Sequence, residues 1–430
     1  MTGLSTAYHL ESDADARDDR SVTVIERDDR PGGVCRSDVV DGFTFDHTGH
    51  LLHFKDPRIA ALIDRLLPDK LLSFARRSSI WRDGVKTEYP FQVNTHGHPP
   101  EVVADCVVGF VEALTRAADA SSREGSFKQW ILSTFGAGFA EHFFLPYNEK
   151  FWRRDLSEIT ADWVSWAIPR PELRAVVEGA LGTVARGLGY NPDFRYPKRG
   201  GIGQLPDALA ARVGDLRLGV AAEAVDTGGR KVRLSDGTVC SYDRLVTTLP
   251  LPVLVRISDL PEQYQRMAGE LDHIGVINFN VGIDRADAWP DHWTYFPEPD
   301  LPFYRVGTPT NFSTAGGIAP PGTTAYYVEV TYRPDSPVDP EELWPTVRRA
   351  LHRVGCVRPD DTILVRHIVR IPHAYVVFDE ARKRILPELQ AALAERGIHS
   401  VGRYGGWEYS SMEKALLDGL ETAGDILRGR

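Results

Sequence analysis

At 430 residues the chain is too long for one ordinary hydrophobic core and is expected to divide into two or three packed units. A net charge of −10 without a basic run argues against nucleic-acid partners, and no apolar stretch approaches the roughly 20 residues of a membrane span. Cys35, Cys106, Cys240 and Cys356 stand far apart with no CxxC pair or His cluster, so the expectation is free thiols in a reducing cytoplasm and no metal site.

In MTGLSTAYHL, Leu4, Ala7 and Tyr8 form a helical stripe that starts at Gly3. The acidic stretch SDADARDD ends this helix, and SVTVIE follows as a β-branched strand closing on Glu26. A helix and then a strand ending in an acid, about 20 positions on, is the second half of a dinucleotide-binding unit, in which the acid accepts hydrogen bonds from ribose hydroxyls. The first half should be a buried strand and a G-x-G-x-x-G turn, of which Gly3 is read as the last glycine. The first strand of the unit is therefore expected to be missing, with Met1 inside the fingerprint and an upstream start supplying the strand and two glycines. Cofactor binding by the chain as it stands is expected to be weakened, because the lost turn places N–H groups on the pyrophosphate. The plain alternative is an N-terminal helix without a ligand.

The next segment continues the pattern. RPGG makes a tight turn at Gly32 and Gly33, with close backbone approach. Arg36 and Ser37 follow as phosphate donors, DGFTFD reads as a short strand, and TGH is a turn carrying Gly49 and His50. Residues 56–190 read as a mainly helical insertion, from the apolar stripes of PRIAALIDRLL, HPPEVVADCVVGFVEALTRAAD and SFKQWILSTFGAGFAEHFFLPY. Residues 191–250 return to the cofactor domain through a Gly-rich turn, short strands with GG and DG turns, and a strand ending at Thr247 and Thr248. Residues 251–395 read as a sheet-containing substrate domain, and 396–430 as a strand, a Gly turn and a last helix whose N-terminus can face a cofactor ring.

The acid-closed strand, the GG pair soon after it and the Gly–His turn resemble the FAD-dependent proteins of the glutathione-reductase-type Rossmann group, which includes amine oxidases, protoporphyrinogen oxidases and UDP-galactopyranose mutases. FFLPYNEKFWRRDL, FRYPKRGGIG, YFPEPDLPFYR and GRYGGWEYSSM narrow the likeness to UDP-galactopyranose mutases of the eukaryotic type. The resemblance implies an α/β fold, with an FAD-binding Rossmann-like domain assembled from 1–55, 191–250 and 396–430. It implies a cytoplasmic isomerase that interconverts pyranose and furanose forms of a UDP-galactose-like sugar through a flavin N5–sugar adduct, without net redox. Reduced FAD would be the active form and NAD(P)H a possible reductant. The partner would be a nucleotide sugar, and the oligomeric state is left open.

Residue by residue, the resemblance implies the following roles. His50 would sit at the flavin edge and favour the reduced form. Asn148, Trp152, Asn191 and Tyr295 would line the substrate pocket. Arg305 would clamp the diphosphate, with Tyr375 and Tyr409 binding phosphate oxygens through their hydroxyls. Gly3, Glu26, Gly32, Gly33, Arg36, Ser37, Gly49, Thr248, Arg403 and Met412 would hold the cofactor, Arg403 at its pyrophosphate and Met412 through its backbone. Three positions depart from the pattern: Ala167 where a second clamping Arg is expected, Phe312 for a Tyr, and Glu413 for an Asn. Arg170 or Arg174 could substitute for the missing Arg. Two other readings stay open: an oxidoreductase of the amine-oxidase or protoporphyrinogen-oxidase type, and a truncated, non-catalytic remnant.

Overall fold

The computed structural model describes residues 1–12, 21–117, 125–164, 168–183, 192–313 and 316–429. Asn191, Ala167 and all but the first residue of SDADARDD lie outside the described residues.

Two parallel strand pairs form the cofactor half. β1 (Thr23–Ile25) pairs with β8 (Asp215–Arg217), and β12 (Leu245–Thr247) pairs with β18 (Ile398–Ser400). The two pairs are not hydrogen-bonded to each other among the described residues. α1 (Thr2–Ser12) lies along α13 (Met412–Leu427). Small residues permit this approach: a Cβ on Gly419 would stand 2.4 Å from Ser5 Cβ, and Ser5 Oγ donates to the Leu416 carbonyl at 2.8 Å. The N-terminal end of α1 sits at the ends of β12 and β18. The Cβ position of Gly3 is 4.0 Å from Thr248 Cγ2, and Gly402, at φ +75°, backs onto Thr2.

Smaller elements complete this half. β2 (Ser37–Val40) and β3 (Phe43–Asp46) form a hairpin whose Asp41–Gly42 turn has both φ positive, the geometry that matches strand twist. β9 (Ala222–Asp226), β10 (Lys231–Leu234) and β11 (Val239–Ser241) form an antiparallel meander. Helices α7 (Gln204–Ala210), α8 (Leu251–Arg256), α9 (Glu262–Gly269) and α11 (Glu380–Ala394) connect the strands, and α12 (Gly402–Gly405) leads from β18 into α13.

The second half is built on a seven-stranded sheet in the order β17-β13-β16-β15-β14-β5-β6. β13 (His273–Ile283) runs antiparallel to both its neighbours, β16 (Thr324–Tyr332) and β17 (Ile363–Val376). β13 and β16 are rich in Val, Ile and Tyr and buried almost throughout, as suits strands covered on both faces. The two buried Asn of β13 peg the DHTGH segment to the sheet: Asn278 Nδ2 donates to the His47 carbonyl at 2.8 Å and Asn280 Nδ2 to the Asp46 carbonyl at 3.4 Å. β14 (Trp293–Tyr295) and β15 (Arg305–Gly307) form a hairpin, and α10 (Pro340–Val354) packs its apolar side on the sheet.

Residues 56–190 are not helical throughout. After α2 (Pro57–Leu66) come β4 (Leu71–Ala75), β5 (Ser78–Arg82) and β6 (Val85–Glu88). β5 and β6 extend the large sheet, and β4 pairs with β7 (Asp193–Pro197). These strands of four or five residues are too short to carry a pattern of their own, and distant partners stabilise them. The helices proper are α3 (Pro100–Ala117), α4 (Phe127–Phe139), α5 (Leu145–Trp152) and α6 (Leu173–Ala180), with a π turn over Ala140–Phe144 leading into α5. α3 and α4 meet backbone to backbone at Gly109, Gly136 and Gly138. Among the described residues no helix is long and apolar enough to cross a membrane, and no cluster of His, Cys, Asp and Glu could hold a metal ion.

Candidate active site

The β15–β16 register places Arg305 opposite Glu329. Arg305 Nε and Nη2 donate to the two Glu329 oxygens at 2.7 and 2.8 Å, and the Glu329 carboxylate is fully buried. The Gly49 N–H also donates to Glu329 at 3.3 Å, bringing the Gly–His turn onto this pair. Tyr327 lies alongside, with room made by glycine: a Cβ on Gly49 would stand 2.5 Å from its hydroxyl, and one on Gly307 1.9 Å from its ring.

His50 Nδ1 lies 3.2 Å from Thr48 Oγ1. Burial, reinforced by the Arg403 charge, pushes its pKa down to about 4, so the imidazole is neutral near pH 7. Three of the five Arg403 N–H groups bond to the protein backbone: Nε and Nη2 donate to the Ala374 carbonyl at 3.1 and 2.8 Å, and Nη1 to the Ser410 carbonyl at 2.7 Å. Its guanidinium carbon lies 4.9 and 5.0 Å from the ring centres of Tyr375 and Tyr409, which stack on each other at 5.6 Å.

From there an aromatic run crosses to the helical part. Tyr375 meets Phe151 at 4.7 Å, Phe151 meets Tyr304 at 5.0 Å, and Tyr304 meets Tyr147 at 6.3 Å. Tyr147 meets Tyr295 at 5.7 Å, and Tyr295 meets Tyr89 at 5.4 Å. The Tyr304 hydroxyl and the Trp152 indole N–H are buried with no hydrogen-bond partner. Asn148 is buried and spends its amide on the Phe144 carbonyl one turn back, at 2.8 Å.

The cofactor-side positions cluster at the other end. Glu26 accepts from the Asp28 N–H at 2.9 Å, and Arg36 pairs with Asp28 at 2.9 Å. Arg36 Nε is buried without a partner. Gly32 and Gly33 have φ of +109° and +59°, and a Cβ on Gly32 would strike Pro206 at 2.8 Å. Ser37, expected as a phosphate donor, instead donates to Asp46 at 2.6 Å and accepts from the Gly203 N–H at 2.8 Å, so it serves a structural network. Met412 opens α13, which Ser411 caps. The first N–H groups of α1 have no acceptor within the helix, and together with the orphaned Arg36 Nε they fit an anionic dinucleotide beside Glu26.

The departures also find places. Glu413 accepts the backbone N–H groups of Lys55 and Asp56, the latter at 2.7 Å, and so ties α13 to the start of α2. Phe312 is buried against Phe194, Tyr196 and His292. Tyr89, Tyr147, Tyr304, Tyr327 and Glu329 belong to the site but escaped the sequence reading. The one available signal was a lone acid within the apolar strand AYYVEVTY.

Comparison with known proteins is consistent with this geometry. A family model described as flavin containing amine oxidoreductase matches residues 1–427. Among solved structures, a reduced UDP-galactopyranose mutase superposes with a TM-score of 0.93 at 26% identity, covering 100% of this chain and 94% of that one. A putative protoporphyrinogen oxidase from Exiguobacterium sp. 255-15 gives 0.74 at 16% identity, covering 100% and 97%, and a putrescine oxidase bound to putrescine gives 0.67 at 19%, covering 99% and 97%. The last two attest the fold alone. With a family match over nearly its whole length, and the fold of FAD-dependent oxidoreductases, the chain belongs to the flavin containing amine oxidoreductase family.

Proposed function

We propose that the chain is an FAD-dependent nucleotide-sugar mutase that interconverts the pyranose and furanose forms of a UDP-galactose-like sugar. The observation that carries this reading is the wall running from Tyr89 to Arg403, in which tyrosines, with Phe151 among them, lie ring to ring, Arg305 stands over Tyr304, and Arg403 closes the end. Such a wall offers faces to a sugar and nucleobase and positive charge to a diphosphate. A cationic amine would meet the Arg403 charge at a disadvantage, which weighs against an amine-oxidase activity.

When bound in reduced form, FAD would supply the nucleophile for the anomeric carbon and be regenerated, so that no net redox occurs. NAD(P)H is the proposed reductant. The chain's residues would bind, orient and exclude water. α1, Glu26 and Arg36 would hold the dinucleotide. Neutral His50 would present a hydrogen-bonding edge to the flavin without adding a charge. Arg305 would contribute to the diphosphate with the part of its fork that Glu329 leaves over, and Tyr375 and Tyr409 would add hydroxyl donors. Asn148 and Trp152 would border the sugar, and Asn191, outside the described residues, remains proposed on its motif.

The first test is the visible spectrum of the purified chain after mixing with excess FAD and desalting, followed by titration with UDP. A retained flavin spectrum and saturable UDP binding are expected. A colourless protein would remove the cofactor from the proposal, and a yellow protein blind to UDP would remove the nucleotide sugar.

A further inference from the structure

Lys150 lies on α5 between Asn148 and Trp152, and it is buried. Its Nζ donates to the carbonyls of Phe296, at 2.7 Å, and Phe303, at 3.2 Å. These two residues stand on opposite legs of the β14–β15 hairpin. Phe296 directly follows Tyr295, and Phe303 is two residues before Arg305. The Phe296 N–H donates to the Tyr304 carbonyl at 3.0 Å, closing the neck at the same level. One ammonium therefore spans the base of the loop 297–302.

The backbone of Lys150 is anchored as well. Thr331 Oγ1 donates to the Lys150 carbonyl at 2.8 Å, and Arg153 Nε donates to the Thr331 carbonyl at 2.9 Å. Thr331 lies on β16 two residues beyond Glu329. α5, the hairpin and the strand carrying Glu329 are thus tied at one point.

Packing alone does not call for a lysine here. Among the described residues no carboxylate lies within 4.0 Å of Nζ. A buried ammonium without a carboxylate is costly, and an apolar side chain of similar volume would fill the same space. The position retains a charge whose two bonds both go to the hairpin neck.

We propose that Lys150 is a positioning residue: its ammonium fixes the spacing of Tyr295 and Arg305 across the hairpin neck and thereby sets the affinity for the nucleotide. This rests on the nucleotide-sugar reading above. Burial, opposed by the charges of Glu298 and Asp300 and aided by that of Arg153, brings the Lys150 pKa down to about 7. The charge that strengthens both bonds is accordingly lost as pH rises through neutrality.

The test compares wild type, Lys150→Met and Lys150→Arg, each loaded with FAD, by UDP titration and by backbone hydrogen exchange. Lys150→Met is expected to keep its flavin spectrum, to bind UDP at least tenfold more weakly, and to exchange faster at 296–304. Lys150→Arg is expected to recover part of the affinity and to lose the weakening that wild type undergoes between pH 6 and 8.5. Wild-type exchange at 296–304 in Lys150→Met would overturn the clamp. Faster exchange with unchanged UDP affinity would overturn its role in binding. If wild type binds no UDP, the nucleotide-sugar reading fails and takes the affinity claim with it, while the exchange result still decides the clamp. If Lys150→Met does not fold, wild-type exchange at pH 6 and 8.5 decides: lower protection at the higher pH, corrected for intrinsic rates, is expected, and equal protection overturns the proposal.

Discussion

Arg305 and Glu329 face each other across two antiparallel strands and are joined by a bidentate ion pair of 2.7 and 2.8 Å, with the carboxylate sealed from solvent. The arrangement holds the guanidinium rigid and takes up one edge of its fork. Replacing Arg305 by Ala would leave a buried charge without its partner, a change that costs about 3–5 kcal/mol. Urea denaturation of Arg305→Ala should show a loss of that order. A loss below about 1 kcal/mol would mean that the pair is solvated in solution.

Acid should weaken the fold, and His292 should contribute. This imidazole is buried, its Nδ1 accepts the Arg77 N–H at 3.0 Å, and burial pushes its pKa down to about 3. The sign follows from linkage. The unfolded side chain takes up a proton near pH 6.5 while the folded one stays neutral, so stability is fully present above about 6.5 and drains away as pH falls toward about 3. The slope is about 1.4 kcal/mol per pH unit for one proton. His292→Gln keeps an acceptor for Arg77 and should flatten the profile between pH 6 and 4.5 by about that amount. An unchanged slope would contradict the assignment.

Gly138 is expected to tolerate no side chain. A Cβ there would lie 2.1 Å from the Asp105 carbonyl oxygen, in the close contact of α3 with α4. Backbone cannot yield as a flexible side chain does, so Gly138→Ala should cost at least the roughly 1–3 kcal/mol of an overpacked core. A thermal melt within 1 °C of wild type would show that α3 and α4 stand further apart.

Glu413 should matter for stability and not for ligand. Its Oε1 accepts the N–H groups of both Lys55 and Asp56. Glu413→Gln retains the acceptor and should leave UDP affinity within about twofold, whereas Glu413→Ala should destabilise by roughly 1–3 kcal/mol. A large gain in UDP affinity for Glu413→Gln would place the charge beside the diphosphate instead.

The legible parts of the molecule were those with local causes. The helix at Gly3, the strand closing on Glu26, the positive-φ glycines of RPGG and the last helix follow from short-range pattern and turn chemistry. β4 and the pairing of β5 with the large sheet were missed because their partners, β7 and β14, lie more than a hundred residues away, whereas the β5–β6 hairpin carries a local signal in its Asp83–Gly84 turn, with both φ positive. Glu329 and Tyr89 were missed for a related reason. Each becomes part of the site only through register with a distant strand or through stacking, and neither leaves a trace in spacing. Ser37 shows the converse: its residue type suits a phosphate donor, yet buried Asp46 claims the hydroxyl first.

The most direct measurement is chromatographic. The chain, supplied with excess FAD and reduced, would be incubated with UDP-galactofuranose and the nucleotide sugars separated. Conversion to UDP-galactopyranose, without oxygen uptake and absent with oxidised flavin, is the expected result. Unchanged UDP-galactofuranose in the presence of a chain that has demonstrably retained reduced flavin would contradict the mutase assignment.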